Sequence, residues 1–565
     1  MEVLLDIEAN GLDPDTIHCF STSTGCRGTT VEELRAALAG CTLLVGHNLR
    51  GYDLPVLERL WGFTYDGVVI DTLVLSRLSR PSRDGGHSLE AWGQRLGYAK
   101  VLHEDWDTYS PAMQHRCDED VALNLKVYEA LKEELKGFDQ RSIDLEMRTN
   151  EIIQKQIANG CQFNEGEAML LLAELRDRQC AVEAEVQDVF RPLPTPSGTA
   201  EPKYKANGEL SIVGAKFLGD NWQTLGGPCT KVTYPEFNLG SNDQIARYLG
   251  RKGWKPKTLT PTGKAVVDEG ALKDVEIPEA QLILEYKNLT KTIAMVSSWL
   301  EAQDDDGRIR GYVNSCGAVT GRMTHSKPNL AQVPARTKEG KRCRALFTVA
   351  EDCSLVGMDA SGLELRMLAH YMADPGYTKE VVSGDVHSAN QRAAGLDTRD
   401  QAKTFIYAFL YGAGDAKIGE IAGLRAKDGR ALKQRFLSKT PALKRLIGAV
   451  EQASGRGYLK GLDGRRIAVR SRHAALNTLL QSAGAVVMKE AVVILMDKVN
   501  RGGLGEHARV VLTVHDEVQL EVTTKYAPAV AKLAEDAMRE AGESFDLRCP
   551  LAGEAAIGSN WSETH

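Results

Sequence analysis

The sequence predicts a multi-domain protein that combines α/β and α+β parts. Its 565 residues are 43% hydrophobic, which is enough apolar material for several cores. The first 140 residues alternate short apolar strands with helical patterns, whereas the C-terminal half combines an apolar strand at 354–359 with a β-hairpin at 510–522. Long helical patterns separate these strand-rich regions. We therefore expect more than one folding unit.

Acidic residues mark three segments of the N-terminal region. The strand V-L-L-D-I-E-A alternates so that Asp6 and Glu8 lie on one face. A second strand runs into a turn and a helix that contains Asp53, and the segment H-R-C-D-E-D begins a helix that contains Asp120. Four acidic groups from three segments could bind two hard cations through oxygen ligands. Asp-x-Glu pairs are also common on protein surfaces, and that is the simpler alternative.

The middle of the chain is predicted to be helical with one irregular stretch. Periodic runs such as E-A-M-L-L-L-A-E-L-R predict helices over about 141–190, and helical patterns resume after F-N-L-G-S-N-D-Q-I at 237–245. The stretch between them is rich in Pro and Gly and too irregular for a helix. We see no internal repeat.

Two further carboxylates stand where strands turn over. Asp359 ends the run S-L-V-G-M-D, and Asp516 lies at the tip of the predicted hairpin in V-V-L-T-V-H-D-E-V-Q-L-E-V. Two carboxylates brought together in this way can hold two Mg²⁺ ions about 3.5–4 Å apart, one activating a hydroxyl nucleophile and one stabilising a leaving group. A separation of more than 150 residues along the chain leaves this pairing unproved until other motifs support it.

A helix between these carboxylates supplies such a motif. Thr398 is a good N-cap and Gly412 a good stop, which predicts a helix over 399–411. Arg399, Lys403, Tyr407 and Tyr411 recur every four residues and so share one face. Two cations followed by two aromatic rings suit a triphosphate and a base. An amphipathic helix with a solvated basic edge is the alternative.

The charge distribution separates the N-terminal region from the rest. The net charge is −7, but residues 1–140 hold 13 Lys and Arg against 23 Asp and Glu, which leaves a net charge of +3 for the remainder. Within 322–344 the only acidic residue is Glu339, and seven residues are basic: Arg322, Lys327, Arg336, Lys338, Lys341, Arg342 and Arg344. A run of one sign is typical of a groove that follows phosphates. A basic solvated loop is the alternative.

These motifs resemble motifs A, B and C of the family A DNA polymerases, and they are similar above all to the replicative polymerases of short-tailed bacteriophages. The resemblance extends to G-A-V-T-G-R-M-T-H-S-K-P-N-L-A-Q-V-P at 317–334, G-D-V-H at 384–387, the segment at 462–485 and the C-terminal N-W-S-E-T-H. It covers nearly the whole chain and is weakest over 191–237. Several long motifs in the same order make a chance match improbable.

The resemblance implies an RNase H-like 3′–5′ exonuclease domain followed by a right-hand polymerase domain. The expected divisions are an exonuclease domain at 1–140, a thumb at 141–310 with an irregular insertion at about 191–237, a first part of the palm at 311–379, fingers at 380–460, and a second part of the palm with the C-terminus at 461–565.

The resemblance also implies roles for the polymerase residues. Asp359 and Asp516 would be catalytic and, with the carbonyl of Ala360, would bind metal. Six residues would bind the nucleotide: Arg399, Lys403, Tyr407, His387, Glu364 and Tyr411. Glu364 would stand beneath the sugar near Tyr407 and exclude a 2′-hydroxyl. Three residues would contact DNA: Arg322 and Gln481 in the minor groove, where all correct pairs present acceptors, and His515 at the primer end.

In the exonuclease domain the resemblance implies Asp6, Glu8, Asp53 and Asp120 as metal ligands. Family A proofreading domains usually have a tyrosine four residues before the last aspartate, but here that position is Arg116. His115 stands five residues before Asp120, which is the spacing of the histidine subclass of these exonucleases. We therefore expect His115 to act as the general base, since imidazole titrates near neutral pH. A surface histidine is the alternative.

Cofactors, partners and location follow as expectations. The resemblance implies two Mg²⁺ ions at each site, with Mn²⁺ as a substitute, and primer-template DNA, dNTPs, a helicase-primase and a single-strand binding protein as partners. Thioredoxin binding at 191–237 and oligomerisation are not expected. Eleven cysteines without a C-x-x-C pair, and no apolar run of about 18 residues, predict a cytoplasmic protein without a membrane segment, in the host cell if the source is a phage.

Two other classes share some of these features. A single-subunit RNA polymerase also pairs two palm aspartates, but it should lack a proofreading domain and Glu364. An inactive DNA-binding scaffold should have lost some of the carboxylates, and none is missing.

Overall fold

The computed structural model describes residues 1–200, 204–209, 211, 222–223 and 229–565. They form two compact units: the first comprises Met1–Phe163 and Ala302–His565, and the second comprises Asn164–Glu301. We expected a thumb to begin at residue 141. That boundary stays a prediction, and the helix Gln140–Asn159 belongs to the first unit.

The N-terminal part of the first unit is a mixed sheet flanked by helices, as predicted. Its five strands have the order β3-β2-β1-β4-β5, with β1 antiparallel to β2 and parallel to β4. The elements are β1 (Glu2–Ala9), β2 (Ile17–Thr22), β3 (Arg27–Gly28), α1 (Val31–Ala37), β4 (Leu43–Gly46), α2 (Asp53–Trp61), β5 (Val68–Asp71), α3 (Thr72–Ser79), α4 (Leu89–Leu96) and α5 (Pro111–Glu134). Apolar residues of β1 face both sides: Val3 and Leu5 join one core, and Leu4 joins the other. Because β1 is packed against a core on both faces, its polar residues are held in fixed positions.

Two elements lead out of this sheet region, α6 (Gln140–Asn159) and β6 (Cys161–Phe163). The second unit follows and consists of α7 (Glu165–Val189), β7 (Thr195–Ala200), β8 (Trp222–Gln223), β9 (Cys229–Thr233), α8 (Asn242–Arg251), α9 (Glu269–Leu272) and α10 (Pro278–Glu301). Helix α7 packs along α10. Much of the stretch 191–237 lies outside the described residues. Its described part contains an antiparallel sheet of order β7-β9-β8.

The remaining residues return to the first unit and contribute most of its helices. The elements are β10 (Arg308–Ile309), β11 (Tyr312–Asn314), β12 (Thr324–Ser326), α11 (Lys338–Ala345), β13 (Phe347–Thr348), β14 (Cys353–Ala360), α12 (Leu363–Met372), α13 (Pro375–Val382), α14 (Val386–Ala394), α15 (Arg399–Leu410), α16 (Asp415–Ile421), α17 (Ala426–Lys439), α18 (Pro441–Ser454), β15 (Tyr458–Lys460), β16 (Arg466–Ala468), α19 (Ala475–Arg501), β17 (Ala508–Val514), β18 (Glu517–Thr523), α20 (Ala527–Ser544) and β19 (Gly553–Gly558).

The predicted hairpin and the predicted apolar strand belong to one antiparallel sheet. Its order is β17-β18-β14-β19, and the register pairs Asp359 with Glu517 across β14 and β18. Helices α19 and α20 pack against each other, and α20 also packs on β14 and β19, within one continuous apolar core. The sheet therefore fixes where the chain turns over at both aspartates.

Helix α15 confirms the sequence prediction closely. The Thr398 hydroxyl accepts a hydrogen bond from the backbone N–H of Gln401, and the Gln401 side chain accepts one from the backbone N–H of Thr398, which forms a capping box. The helix ends at Leu410 with Tyr411 as its C-cap, and Gly412 follows with φ 76°. Glycine tolerates this left-handed conformation, so the chain can turn away there.

Among the described helices, one is long and apolar enough to span a membrane by composition alone. It covers Arg472–Arg501 with a mean hydropathy of 1.7, and 72% of its apolar window is buried inside the protein. This burial is typical of a core helix of a globular fold.

Candidate active sites

The first candidate site lies where β14 ends beside the hairpin. Asp359 is the next-to-last residue of β14, and Asp516 lies at the tip between β17 and β18, after His515 with φ 55°. The Ala360 N–H donates to the Asp516 carbonyl at 3.0 Å, which brings the two turns together. Burial, and then the charge of Asp516, raises the pKa of Asp359 to about 6. Two carboxylates that repel each other in this way form a suitable donor set for divalent cations.

A cavity of about 750 Å³ opens over these aspartates. It brings together nine residues predicted from the sequence: Arg322, Asp359, Ala360, Glu364, Lys403, Tyr407, Tyr411, His515 and Asp516. Arg336, Asp400 and Thr404 also line it. Asp400 and Thr404 were not predicted. Each stands three residues before a predicted residue of α15, Lys403 or Tyr407, and this spacing places them on the same helix face.

Glu364 is held on the wall of this cavity by two partners. The Tyr411 hydroxyl donates to its carboxylate at 2.8 and 3.0 Å, and Arg322 Nη2 donates at 3.3 Å. We expected the carboxylate beside Tyr407. The structure forms the hydrogen bond to Tyr411, one helical turn later, while the Glu364 charge still contributes, after burial, to a raised pKa of Tyr407. The two tyrosine rings lie 6.4 Å apart between centroids.

His387 and Arg399 lie beside the cavity rather than in its wall. The His387 ring is 6.4 Å from the Tyr407 ring, and burial together with the charges of Arg399 and Lys403 lowers its pKa. Gln481 is half-buried on α19, one turn before Ala485. Ala485 borders a small cavity of about 30 Å³ together with Arg322 and His515. The predicted nucleotide-binding residues and two of the three predicted DNA-binding residues, Arg322 and His515, therefore lie around one region.

Glu517 follows Asp516 and stabilises the hairpin through contacts of its buried carboxylate. Its side chain is 3% exposed and accepts hydrogen bonds from the Gln519 amide at 2.6 Å and the Trp561 indole, with His565 Nδ1 at 2.9 Å and Arg344 Nη1 at 3.4 Å. The contact with Glu517 raises the pKa of His565. We expected Arg344 to belong to a basic groove that follows phosphates. The structure contradicts this, because Arg344 is 5% exposed and is paired with the Glu517 carboxylate.

The second candidate site lies on β1. Carboxylate oxygens of Asp6, Glu8 and Asp120 lie within 4.8 Å of one another. Asp53 begins α2, accepts a hydrogen bond from the Ile7 N–H at 3.2 Å, and contributes, after burial, to a strongly raised pKa of Asp6. Burial raises the pKa of Asp53 to about 8. The four carboxylates predicted from the sequence therefore lie together, and their oxygens suit hard cations.

Two basic side chains contact these carboxylates. Lys100 Nζ lies 2.7 Å from Asp120 Oδ2, and Arg116 Nε donates to Glu8 Oε1 at 2.9 Å. The Arg116 guanidinium also stacks on Trp106, with its central carbon 4.6 Å from the ring centroid. Neither pairing was predicted. Arg116 had been noted as a departure from the family pattern, whereas nothing in the sequence marks Lys100.

His115 is exposed on α5, and its role as general base stays a prediction. Residues four apart share a helix face, so Arg116 lies on the same side of α5 as Asp120. Arg116 occupies the position beside Glu8.

The sequence of this chain is similar to those of known DNA polymerases. The profile of DNA polymerase family A matches residues 215–563. The chain is 34% identical to the DNA-directed DNA polymerase of Enterobacteria phage T3, over 99% of both chains, and 34% identical to that of Escherichia phage T7, over 100% of both. It is 31% identical to the thermostable DNA polymerase I of Thermus aquaticus over 58% of this chain and 42% of that protein.

The fold of this chain is also similar to that of a solved polymerase domain. The POL domain of Pol1 from M. smegmatis, solved in complex with DNA primer-template and dNTP, superimposes with a TM-score of 0.79 at 21% identity, covering 100% of this chain and 96% of that one. The match of the family profile to more than half of the chain, together with the full-length similarity to the phage enzymes, shows that this chain belongs to DNA polymerase family A.

Proposed function

We propose that this protein copies a DNA template by two-metal nucleotidyl transfer, in the replication of a phage genome, and that it removes misincorporated nucleotides with a 3′–5′ exonuclease site. The observation that carries the polymerase part is the meeting of Asp359 and Asp516 on the floor of a cavity walled by α15. Polymerases of this family use divalent metal ions. The two carboxylates and the carbonyl of Ala360 supply the oxygen donors that Mg²⁺ or Mn²⁺ prefers.

The side chains around the cavity have separate tasks. Two ions bound by the aspartates would lower the pKa of the primer 3′-hydroxyl and neutralise charge on the departing pyrophosphate. Lys403, Arg399 and His387 bind the triphosphate, and the Tyr407 ring lies against the sugar and base. Glu364, fixed by Tyr411, closes the space that a 2′-hydroxyl needs.

The DNA contacts follow from the position of the donors. Arg322 and Gln481 donate to minor-groove acceptors, which every correct base pair presents at equivalent positions, so they test the geometry of the pair rather than its sequence. His515, beside the catalytic Asp516, contacts the primer end. The ligands of this chain are therefore primer-template DNA and dNTPs.

Primer extension with Asp359→Ala and with Asp516→Ala tests the polymerase assignment. Each variant should lose nearly all extension, whereas primer-template binding should stay close to wild type because phosphate contacts come from other, basic residues. Extension close to wild type in either variant would overturn the two-metal assignment.

The exonuclease part of the proposal is supported by the cluster on β1. Asp6, Glu8, Asp53 and Asp120 would hold two Mg²⁺ or Mn²⁺ ions in an RNase H-like domain at about 1–140, whose mixed sheet agrees with that fold. Lys100 and Arg116 would have to leave the carboxylates when metal binds. The double variant Asp6→Ala with Glu8→Ala should lose digestion of single-stranded DNA and keep polymerisation. Retained digestion, or lost polymerisation, would contradict this assignment.

We assign the thumb to about 141–310, except that α6 packs with the first unit, the palm to 311–379 and 461–565, and the fingers to 380–460. The protein acts as a monomer in the cytoplasm of the host cell, with a helicase-primase and a single-strand binding protein. Thioredoxin should not lengthen the products. A many-fold lengthening that is lost on deleting about residues 195–234 would contradict this.

A further inference from the structure

Arg399 forms an ion pair with Asp385, the residue that precedes helix α14. Its Nε donates to Asp385 Oδ2 at 2.9 Å, and the Arg399 and Asp385 side chains are 52% and 44% exposed. A guanidinium has five N–H donors. This bond uses only the Nε–H, and among the described residues Arg399 has no other hydrogen-bond partner, so its two terminal nitrogens can bind another anion.

Asp385 is itself fixed by its own helix. Its Oδ1 accepts from the backbone N–H groups of His387 at 3.1 Å and Ser388 at 3.3 Å, which caps α14. Its Oδ2 accepts from the Ser388 hydroxyl at 2.7 Å and from Arg399. One oxygen therefore caps the helix, while the other holds the arginine.

The same turn carries a second candidate phosphate ligand. His387 is two residues beyond Asp385, and its ring faces Tyr407 on α15. The pKa of His387 is lowered by burial and by the charges of Arg399 and Lys403, which places all three groups within electrostatic reach of one another. The cap at Asp385 thus sets the N-terminus of α14 against α15 at the point where these groups converge.

We propose that Asp385 is a positioning residue that holds Arg399 by its Nε, so that the terminal nitrogens are presented to the triphosphate of the incoming nucleotide. This inference rests on the proposed role of Arg399. A long side chain that is already ordered loses less conformational entropy when it binds its ligand. The competing arrangement, in which Asp385 is an anion that the triphosphate must displace, predicts the opposite change in nucleotide affinity.

The variant Asp385→Asn separates the two functions of this side chain. Asparagine keeps the Oδ1 that caps α14, and it is as good an N-cap as aspartate, so folding is preserved. Its amide nitrogen replaces Oδ2 and cannot accept from Arg399. We expect KM for dNTP in single-nucleotide primer extension to rise about five-fold, the upper end for an exposed charge pair, with kcat little changed.

Asp374→Asn is the matched control. Asp374 caps α13 through Oδ1 in the same way, with the N–H groups of Gly376 at 2.9 Å and Tyr377 at 3.1 Å, and within the described residues it forms no ion pair. Its KM should equal that of the wild type. A rise in KM as large as that of Asp385→Asn would overturn the proposal, because it would assign the effect to loss of charge near the helix cap in general.

Arg399→Ala distinguishes failure of this inference from failure of the proposed function. If Arg399→Ala leaves KM unchanged, the phosphate role of Arg399 is wrong, and the inference falls with it. If it raises KM, Asp385→Asn should cause no further rise in the Arg399→Ala background, since coupled residues are not additive. An equal rise in both backgrounds, or a lower KM in Asp385→Asn alone, would overturn the inference and leave the proposed function intact.

Discussion

Replacing Arg116 with alanine should destabilise the N-terminal part of the protein when no metal is present. Arg116 and Glu8 form an ion pair whose side chains are 14% and 8% exposed, and Arg116 Nη2 also lies 3.9 Å from Asp120. Removing one partner of a buried pair costs about 3–5 kcal/mol, because the other charge is left unpaired. We expect about 3 kcal/mol, the lower end, because Lys100 still neutralises Asp120.

The effect should depend on pH in a definite direction. Burial raises the pKa of Glu8 above its ordinary value, and Arg116 opposes that rise. Without Arg116 the pKa of folded Glu8 increases further. A carboxylate whose pKa is raised by folding destabilises the protein as the pH rises above the unfolded value, about 4.3 for Glu. The variant should therefore resemble the wild type near pH 4 and differ most from it at pH 8.

Equilibrium urea unfolding at pH 8, followed by circular dichroism, measures this difference. In EDTA the variant should unfold at lower urea, and Mn²⁺ should restore stability more in the variant than in the wild type, because a bound cation replaces the missing charge. Arg27→Ala is the control, since its pair with Asp118 is 63% and 35% exposed and should contribute less than about 1 kcal/mol. A loss below about 1 kcal/mol for Arg116→Ala, or equal responses to Mn²⁺, would refute the argument.

Three other substitutions test the polymerase site and its support. Glu364→Ala should admit ribonucleotides, because it removes the carboxylate that Tyr411 fixes; competition between rNTPs and dNTPs measures this, and unchanged selectivity would contradict it. Tyr407→Phe should discriminate against dideoxynucleotides, which the wild type should accept because the Tyr407 hydroxyl can replace a missing 3′-hydroxyl; strong rejection by the wild type would contradict that role. Arg344→Met should lower the free energy of unfolding by about 2 kcal/mol, since it removes a charged partner of buried Glu517; urea unfolding within experimental error of the wild type would be evidence against this.

Elements with local signals were predictable from the sequence. Helix α15 begins and ends where Thr398 and Gly412 indicated, because capping depends on residues within one turn. The hairpin tip at Asp516 and the strand at Asp359 were equally clear, since alternation and turn chemistry are local. The pairing of those two strands became predictable only through the family resemblance.

Contacts between distant segments were not predictable in this way. Arg344 belongs to a basic run, and counting charges cannot reveal that its side chain folds inward to Glu517, 173 residues away. Likewise, Arg116 contacts Glu8, which lies 108 residues earlier in the chain. The charge pattern of the sequence thus predicted which charged residues belong to the sites, but it could not predict which of them form ion pairs with one another.

Helix α6 shows why the first unit extends past the predicted exonuclease boundary. Glu146 is fully buried on α6 and contacts Lys489 Nζ at 2.5 Å and Arg465 Nη1 at 2.7 Å, while Arg465 also contacts buried Asp463 at 2.6 Å. Buried charges are tolerated only when they are paired, so separating α6 from α19 would leave buried charges without their partners, which costs about 3–5 kcal/mol. Because α6 also packs on α3 and β5 of the first sheet, it holds both carboxylate sites in one folding unit.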